Sequence, residues 1–183
     1  ASPLRDVYKR QAMMMDPDRV RDSERIPHVS PVTEAPDEPR WLSEDQQVAW
    51  RSFLIAHQLL MSQLDKELRQ THGVGLPEYE VLVHLSEQAG RCMRMALLAD
   101  DMGMSRSRLT HIVSRMEKRG LVERTAIAED GRGINCSLTD DGWTLLERSA
   151  PLHVEGVRQH LIDLLDDSEI ETMRSIFLKV NSH

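Results

Sequence analysis

The sequence predicts a mainly α-helical fold that carries a small β-hairpin. Three observations lead to this prediction. Apolar residues recur at helical spacing in several segments, two short strand-like runs flank a polar loop that contains glycine, and aromatic residues make up only 4% of the chain. A length of 183 residues fits either one domain of ordinary size or a domain with an appendage, and two cysteines exclude a disulfide-stapled scaffold.

Residues 1–40 form a predicted disordered N-terminal tail. Five prolines lie between positions 16 and 39, residues 1–40 hold seven basic and eight acidic side chains, and apolar periodicity is missing. Residues 1–11 do not resemble native coding sequence, and we expect the natural start at one of the methionines 13–15. The sequence shows neither a membrane-spanning apolar run nor a secretory signal, so we expect a cytoplasmic protein without a membrane partner.

Residues 41–75 are predicted to form an N-terminal dimerisation helix. Ser43 and Gln46 match a capping box at its start, and Gly73 suits its end. A narrow apolar seam at alternating spacings of four and three residues is typical of packing between subunits. The seam consists of Trp50, Leu54, His57, Met61, Leu64 and Leu68.

Residues 76–141 have the order of elements of a winged helix-turn-helix domain. Pro77 suits the start of its first helix, and in the short second helix Leu97 and Leu98 are expected to face inward. The elements are helix, strand, helix, helix, strand, loop and strand, at residues 77–88, 92–94, 95–102, 105–119, 121–125, 128–133 and 134–138.

Residues 142–183 are predicted to form C-terminal dimerisation helices. Thr139 or Asp140 caps the first of them, and Ser168 with Glu171 matches a second capping box. These helices have no evident role in the winged domain and are available to pack with the N-terminal helix.

The charge distribution is uneven. Residues 91–132 hold nine basic and six acidic side chains, whereas the rest of the chain holds fourteen basic and twenty-four acidic ones. A basic island on an acidic body is either the footprint of a nucleic acid or an ordinary solvated surface, and charge alone leaves both readings open.

The helix at 105–119 carries the strongest functional signal. Its predicted buried stripe contains Leu109, Ile112, Val113 and Met116, and no acidic residue precedes Glu117. A solvated face is usually rich in Glu and Lys, whereas this face offers short hydroxyls, His and Arg, which permit close approach to DNA. The predicted DNA-binding residues, including two arginines of the hairpin, are Ser105, Arg106, Ser107, Arg108, Thr110, His111, Ser114, Arg115, Lys118, Arg124 and Arg132.

Several stretches between Leu76 and Gly142 resemble the MarR family of bacterial winged-helix transcription factors. They are LPEYEVLVHL, MALLADDMGMSRSRLTHIVSRMEKRGLVER, the wing EDGRG, and SLTDDG. The resemblance implies a homodimer with interleaved terminal helices, which binds a pseudo-palindromic operator in double-stranded DNA. It also implies that Asp130 pairs with Arg115 and positions the wing, and that Arg132 enters the minor groove. From the residues alone, Arg132 can equally pair with an acid of its own hairpin.

The same resemblance implies a repressor that is released by a small aromatic or anionic effector. Trp50, His57 and His84 are the candidate pocket residues, although a Trp or His on an apolar stripe is more often a packing residue. The alternatives are a winged helix that binds proteins and a redox-responsive member of the same family. For the latter, Cys136 is expected to face the core, and Cys92 lies beside two arginines. Catalytic motifs and metal-ligand spacings are missing, so we predict no enzyme, cofactor or metal.

Overall fold

The computed structural model describes residues 39–127 and 133–182. Residues 1–38 of the predicted tail and residues 128–132 of the wing loop, with Asp130 and Arg132, therefore lie outside the described residues. The helices are α1 (Glu44–His72), α2 (Leu76–Glu87), α3 (Met95–Asp101), α4 (Arg106–Lys118), α5 (Asp140–His160) and α6 (Asp167–Asn181). The strands are β1 (Cys92–Arg94), β2 (Val122–Ala126) and β3 (Ile134–Leu138), and single 3₁₀ turns occupy Ala89–Arg91 and Ile162–Leu164.

The three strands form an antiparallel sheet in the order β1-β3-β2. β2 and β3 are paired from Val122↔Leu138 to Ala126↔Ile134, which makes them the two arms of the predicted hairpin. The fold class is as predicted: mainly helical, with a small sheet. The chain divides into two units, Ala1–Ile55 and Ala56–His183, and the boundary falls within α1. The domain limits at positions 40, 75 and 141 stay predictions.

Most helix ends follow the predicted local chemistry. At the start of α1, Ser43 Oγ accepts a hydrogen bond from the Gln46 amide at 3.3 Å, and Gln46 Oε1 accepts one from the Ser43 amide at 3.0 Å. At its end, Gly73 has a φ of +65°, a conformation that glycine adopts without strain. Thr139 caps α5 by accepting from the Gly142 amide at 3.0 Å.

The predicted start of α6 is wrong by two residues. The Asp166 carboxylate accepts hydrogen bonds from the amides of Ser168 and Glu169, at 2.8 and 2.9 Å, and the Glu169 side chain accepts one from the Asp166 amide at 2.9 Å. A carboxylate bonds more strongly than a hydroxyl to these amides, so Asp166 is the cap and Ser168 lies inside the first turn.

The prediction for Leu97 is also wrong, because this side chain is 51% exposed. In α3, Leu98 and Ala99 are fully buried, and Met95 and Met102 pack against the same core. These four positions follow the i, i+3, i+4, i+7 pattern of one helix face, and Leu97 lies beside that face rather than on it.

One hydrophobic core joins the winged domain to its neighbours. It includes Leu68 of α1, Leu82 and Leu85 of α2, and Leu109 of α4, all at most 1% exposed. Leu146 of α5 belongs to the same core. The start of α5 therefore has a role in the winged domain that its sequence did not reveal.

Candidate nucleic-acid interface

Packing fixes the orientation of α4. Leu109, Ile112, Val113 and Met116 are all buried, as the sequence predicts. Ser105 caps the helix by accepting a hydrogen bond from the Arg108 amide at 3.3 Å. Because one face is held in the core, the opposite face of α4 points away from it.

Most of the predicted DNA-binding residues lie on that opposite face or at the amino end of α4. Ser114 is half-buried; the exposed ones are Ser105, Arg106, Ser107, Arg108, Thr110, His111, Arg115 and Lys118. The Thr110 hydroxyl donates to the carbonyl of Arg106 at 2.7 Å, so it is engaged within the helix. In the described part of the chain, the side chains of Ser107 and Lys118 make neither hydrogen bonds nor ion pairs, which leaves their polar atoms available to a ligand.

Glu78 of α2 lies beside two arginines at the C-terminal end of α4. The carboxylate accepts a hydrogen bond from the Gly75 amide at 2.9 Å, and its oxygens lie 3.5 Å from Arg119 Nη1 and 3.6 Å from Arg115 Nε. Its side chain is only 8% exposed. Arg115 is therefore oriented by a buried carboxylate on α2, and the pairing of Arg115 with Asp130 stays a prediction.

Arg124 of β2 is bound to the end of α4. Its Nε donates to Glu117 Oε2 at 3.0 Å, and its amide donates to Glu117 Oε1 at 3.1 Å. The hydrogen bond from Arg124 holds the pKa of Glu117 below its usual range. This contact fastens the hairpin to the helix, and the prediction that Arg124 binds DNA stays untested.

A shallow cavity of about 530 Å³, open to the solvent, lies between the end of α1, the start of α2 and the outer side of α4. None of its lining residues is acidic. Its polar lining residues are Arg69, Ser105, Ser107, Arg108, His111 and Arg115. Glu80, whose pKa is raised by burial and lowered in part by the charge of nearby Arg108, does not line the cavity.

The sequence did not point to Arg69 as a residue of this site, because Arg69 lies outside the winged domain. Its Nε donates to Asp65 Oδ2 at 2.6 Å, and Asp65 Oδ1 accepts from the Leu76 amide at 2.8 Å. The hydrogen bond from Arg69 lowers the pKa of Asp65. The spacing of four between Asp65 and Arg69, just before the glycine-containing turn, is the sequence signal that could have found it.

The three candidate effector residues are Trp50 and His57 of α1 and His84 of α2. Trp50 stacks on Phe53 with ring centroids 6.0 Å apart, and His57 is exposed. His84 is half-buried on α2, where its charge acts on Glu80 and Glu87. None of the three lines the cavity. An effector pocket at these residues stays a prediction.

The two cysteines differ in environment. Cys136 is fully buried, as predicted, and burial raises the pKa of its thiol to about 12. Cys92 is half-buried. Within residues 39–127 and 133–182, no group of three or more His, Cys, Asp or Glu side chains could hold a metal ion. In the same ranges, no helix is long and apolar enough to span a membrane.

The fold and this surface define a winged-helix protein. The second helix of its helix-turn-helix, α4, presents a cationic face with no acidic residue before Glu117. The sequence profile of the MarR family matches residues 72–133. One similar structure is a crystal structure of Sco3205, a MarR family transcriptional regulator from Streptomyces coelicolor, in complex with DNA. Its sequence is 40% identical to this chain, the match covers 80% of this chain and 91% of that one, and the TM-score is 0.75. The chain belongs to the MarR family.

Two curated regulators are also similar to this chain. PecS of Dickeya dadantii is 27% identical over 107 residues, which are 58% of this chain and 64% of PecS. The transcriptional repressor MprA of Escherichia coli is 27% identical over 116 residues, 63% of this chain and 65% of MprA. The chain thus spans a little under two thirds of either relative.

Proposed function

We propose that this protein is a homodimeric, sequence-specific regulator that reads duplex DNA with α4 and represses transcription. The observation that carries the proposal is the outer face of α4, whose residues are exposed except for the half-buried Ser114 and include no acid before Glu117, while the other face of the helix is buried. The major groove of B-DNA admits an α-helix of this size, and Arg can donate two hydrogen bonds to guanine or to a phosphate. The DNA in the Sco3205 structure and the name of MprA support this assignment.

Dimerisation is proposed because two terminal segments expose apolar side chains. In α1, Trp50 is 52% exposed and Leu54 is also exposed, although Leu64 and Leu68 on the same seam are buried. In α6, Ile176 and Phe177 are exposed as well. Large exposed apolar patches mark interfaces, and a second copy would bury them. Two copies of α4 would then lie about one DNA turn apart, on the order of 34–36 Å.

DNA binding is tested with the full chain by fluorescence anisotropy on calf-thymus DNA and on duplexes from its own upstream region, between about 50 and 200 mM salt. We expect affinity to fall steeply with salt, because phosphate neutralisation releases counterions. Arg108→Gln should weaken binding by about tenfold, since a charge-assisted hydrogen bond is lost. Arg148→Gln, an exposed arginine on α5, is the matched control. A chain that fails to bind either DNA at low salt contradicts the function and favours a protein-binding winged helix.

The oligomeric state is tested by analytical ultracentrifugation. We expect a dimer for the natural sequence and a monomer for Leu54→Asp, because a charge would be buried in the seam. Arg51→Gln, on the same helix, should stay dimeric. A natural chain that sediments as a monomer at micromolar concentration would refute the dimer.

The release of the repressor by a small effector is tested by a thermal-shift screen of phenolic and anionic metabolites. A ligand that binds the native state raises the melting temperature. We expect a hit to weaken DNA binding in the anisotropy assay. Hits that raise the melting temperature and leave DNA affinity unchanged would count against an effector.

A further inference from the structure

We infer that the cavity between α1, α2 and α4 binds one phosphate group of the DNA backbone, and that Arg69 is one of its ligands. This inference rests on the proposed function and extends it, because Arg69 belongs to the long first helix and not to the winged domain. The shared chemistry is that of a phosphate oxyanion, which either a phosphodiester or free phosphate could supply.

The lining of the cavity has the composition of an oxyanion site. Three arginines, Arg69, Arg108 and Arg115, line a space that no acidic residue lines. Ser105 and Ser107 add hydroxyl groups, and the first turn of α4 adds the partial positive charge of a helix N-terminus. Arginine forks match the geometry of phosphate oxygens, so these groups suit one bound phosphate.

Arg69 is held in place before any ligand arrives. Asp65 Oδ2 accepts a hydrogen bond from Arg69 Nε at 2.6 Å, which leaves the two terminal amino groups of the guanidinium for another acceptor. Gly75 lies directly against the guanidinium, so closely that a Cβ atom at this position would collide with Nη2 and Cζ. A guanidinium that is already ordered loses less entropy when it binds an anion.

The nearby acids lie outside the cavity lining. Asp65 binds Arg69 and Glu78 lies beside Arg115, whereas the charge of Arg108 acts on the half-buried Glu80 carboxyl. None of these three carboxylates lines the cavity. Asp65 and Glu78 therefore restrict where the guanidinium groups of Arg69 and Arg115 point.

The position of the cavity favours a phosphodiester over a free ion. Ser107 and His111 belong both to the cavity lining and to the exposed face of α4. A duplex that lies on this face would therefore bring its backbone against the cavity. Arg69 would contact the strand that borders the groove occupied by α4.

The test compares Arg69→Gln with Arg158→Gln in the full chain. Arg158 is a matched control, because its side chain is 56% exposed against 55% for Arg69 and each is paired with an aspartate. With calf-thymus DNA as the probe, we expect Arg69→Gln to weaken binding about tenfold relative to the control. The slope of log affinity against log salt should fall by about 0.9 for each protomer that contacts DNA.

Gly75→Ala keeps the net charge and displaces the guanidinium. Gly75 has a φ of −77°, so alanine is tolerated by the backbone, and the predicted collision is with the Arg69 side chain. We expect weaker DNA binding at an unchanged melting temperature. If Arg69→Gln does not fold, this variant decides the question, and unchanged affinity then overturns the inference.

Inorganic phosphate distinguishes the two sources of the oxyanion. At matched ionic strength, phosphate should compete with DNA more effectively in the natural chain than in Arg69→Gln. If phosphate instead raises the melting temperature through Arg69 while Arg69→Gln binds DNA as tightly as the control, the site takes free phosphate and the inference is overturned. A natural chain that binds no DNA refutes the proposed function itself, whereas equal binding by Arg69→Gln and Arg158→Gln refutes only the role of Arg69.

Discussion

The buried carboxylate of Glu78 lies 3.5 Å from the guanidinium of Arg119 and links the start of α2 to the end of α4. The same carboxylate lies 3.6 Å from Arg115 and caps α2 through the Gly75 amide. The helix proposed to read DNA is therefore attached, through one acidic side chain, to the turn that follows α1.

We expect Glu78→Gln to lower the free energy of unfolding by about 1–2 kcal/mol. The amide oxygen can still accept from Gly75, but two guanidinium groups lose their counter-charge. The loss stays below that of a fully buried pair because both arginines are partly exposed. Urea denaturation measures it, and Glu171→Gln, from the exposed pair with Arg174, should change stability much less because water screens that pair. Equal effects of the two variants would contradict the anchoring role.

A double-mutant cycle separates the structural role of Arg124 from its predicted DNA contact. We expect Arg124→Gln and Glu117→Gln to show a coupling energy of about 0.5–1 kcal/mol in stability, because the two side chains are joined by hydrogen bonds. In the anisotropy assay, Arg124→Gln should lose less affinity than Arg108→Gln. A loss equal to that of Arg108→Gln would establish Arg124 as a DNA ligand.

Because His153 of α5 is in a buried environment, we expect the stability of the folded protein to fall as the pH is lowered. Its ring lies 4.6 Å from that of Tyr79, and burial lowers its pKa below the ordinary value of about 6.5. Below that value, the unfolded chain binds a proton that the folded chain resists, so acid favours unfolding. Urea denaturation at pH 7.5 and pH 5.5 should show a smaller loss of stability in His153→Leu than in the natural chain. The same loss in both would mean that other groups are responsible.

The two cysteines should differ in reactivity. The thiol of Cys136, with a pKa of about 12, stays protonated at neutral pH and is shielded by the core. We expect iodoacetamide to modify only Cys92 in the native protein, and to modify both cysteines in urea. Mass spectrometry after alkylation of the natural chain and of Cys92→Ser measures this. Native labelling of Cys136 would reopen the redox-responsive alternative.

Arg132 lies outside the described residues, so its role rests on the sequence. We expect Arg132→Ala to weaken DNA binding and to reduce its salt dependence by about 0.9 per contact, without changing the dimer. Gel-shift titrations across salt concentrations, with ultracentrifugation as the control, test it. Unchanged affinity at every salt concentration would rule out a role for the wing arginine.

Local patterns predicted much of this fold. The stripe from Leu109 to Met116 and the caps at Ser43 and Thr139 were predictable because each depends on residues within one or two turns of a helix. The cap of α6 was misplaced because Asp166 and Ser168 are both good caps only two residues apart. Leu97 was misplaced because a helix of seven residues leaves its inward face ambiguous.

The sequence by itself determined which face of α4 is polar and cationic, because helical periodicity separates that face from the apolar stripe. Only the tertiary structure decided which side chains lie around that face. Glu78 contacts Arg115, Glu117 binds Arg124, and Arg69 lines the same cavity as residues of α4. Arg119 lies 41 positions from Glu78, and Arg69 lies 39 positions from Arg108. Contacts over such separations depend on how helices pack, which the spacing of residues within one helix does not specify.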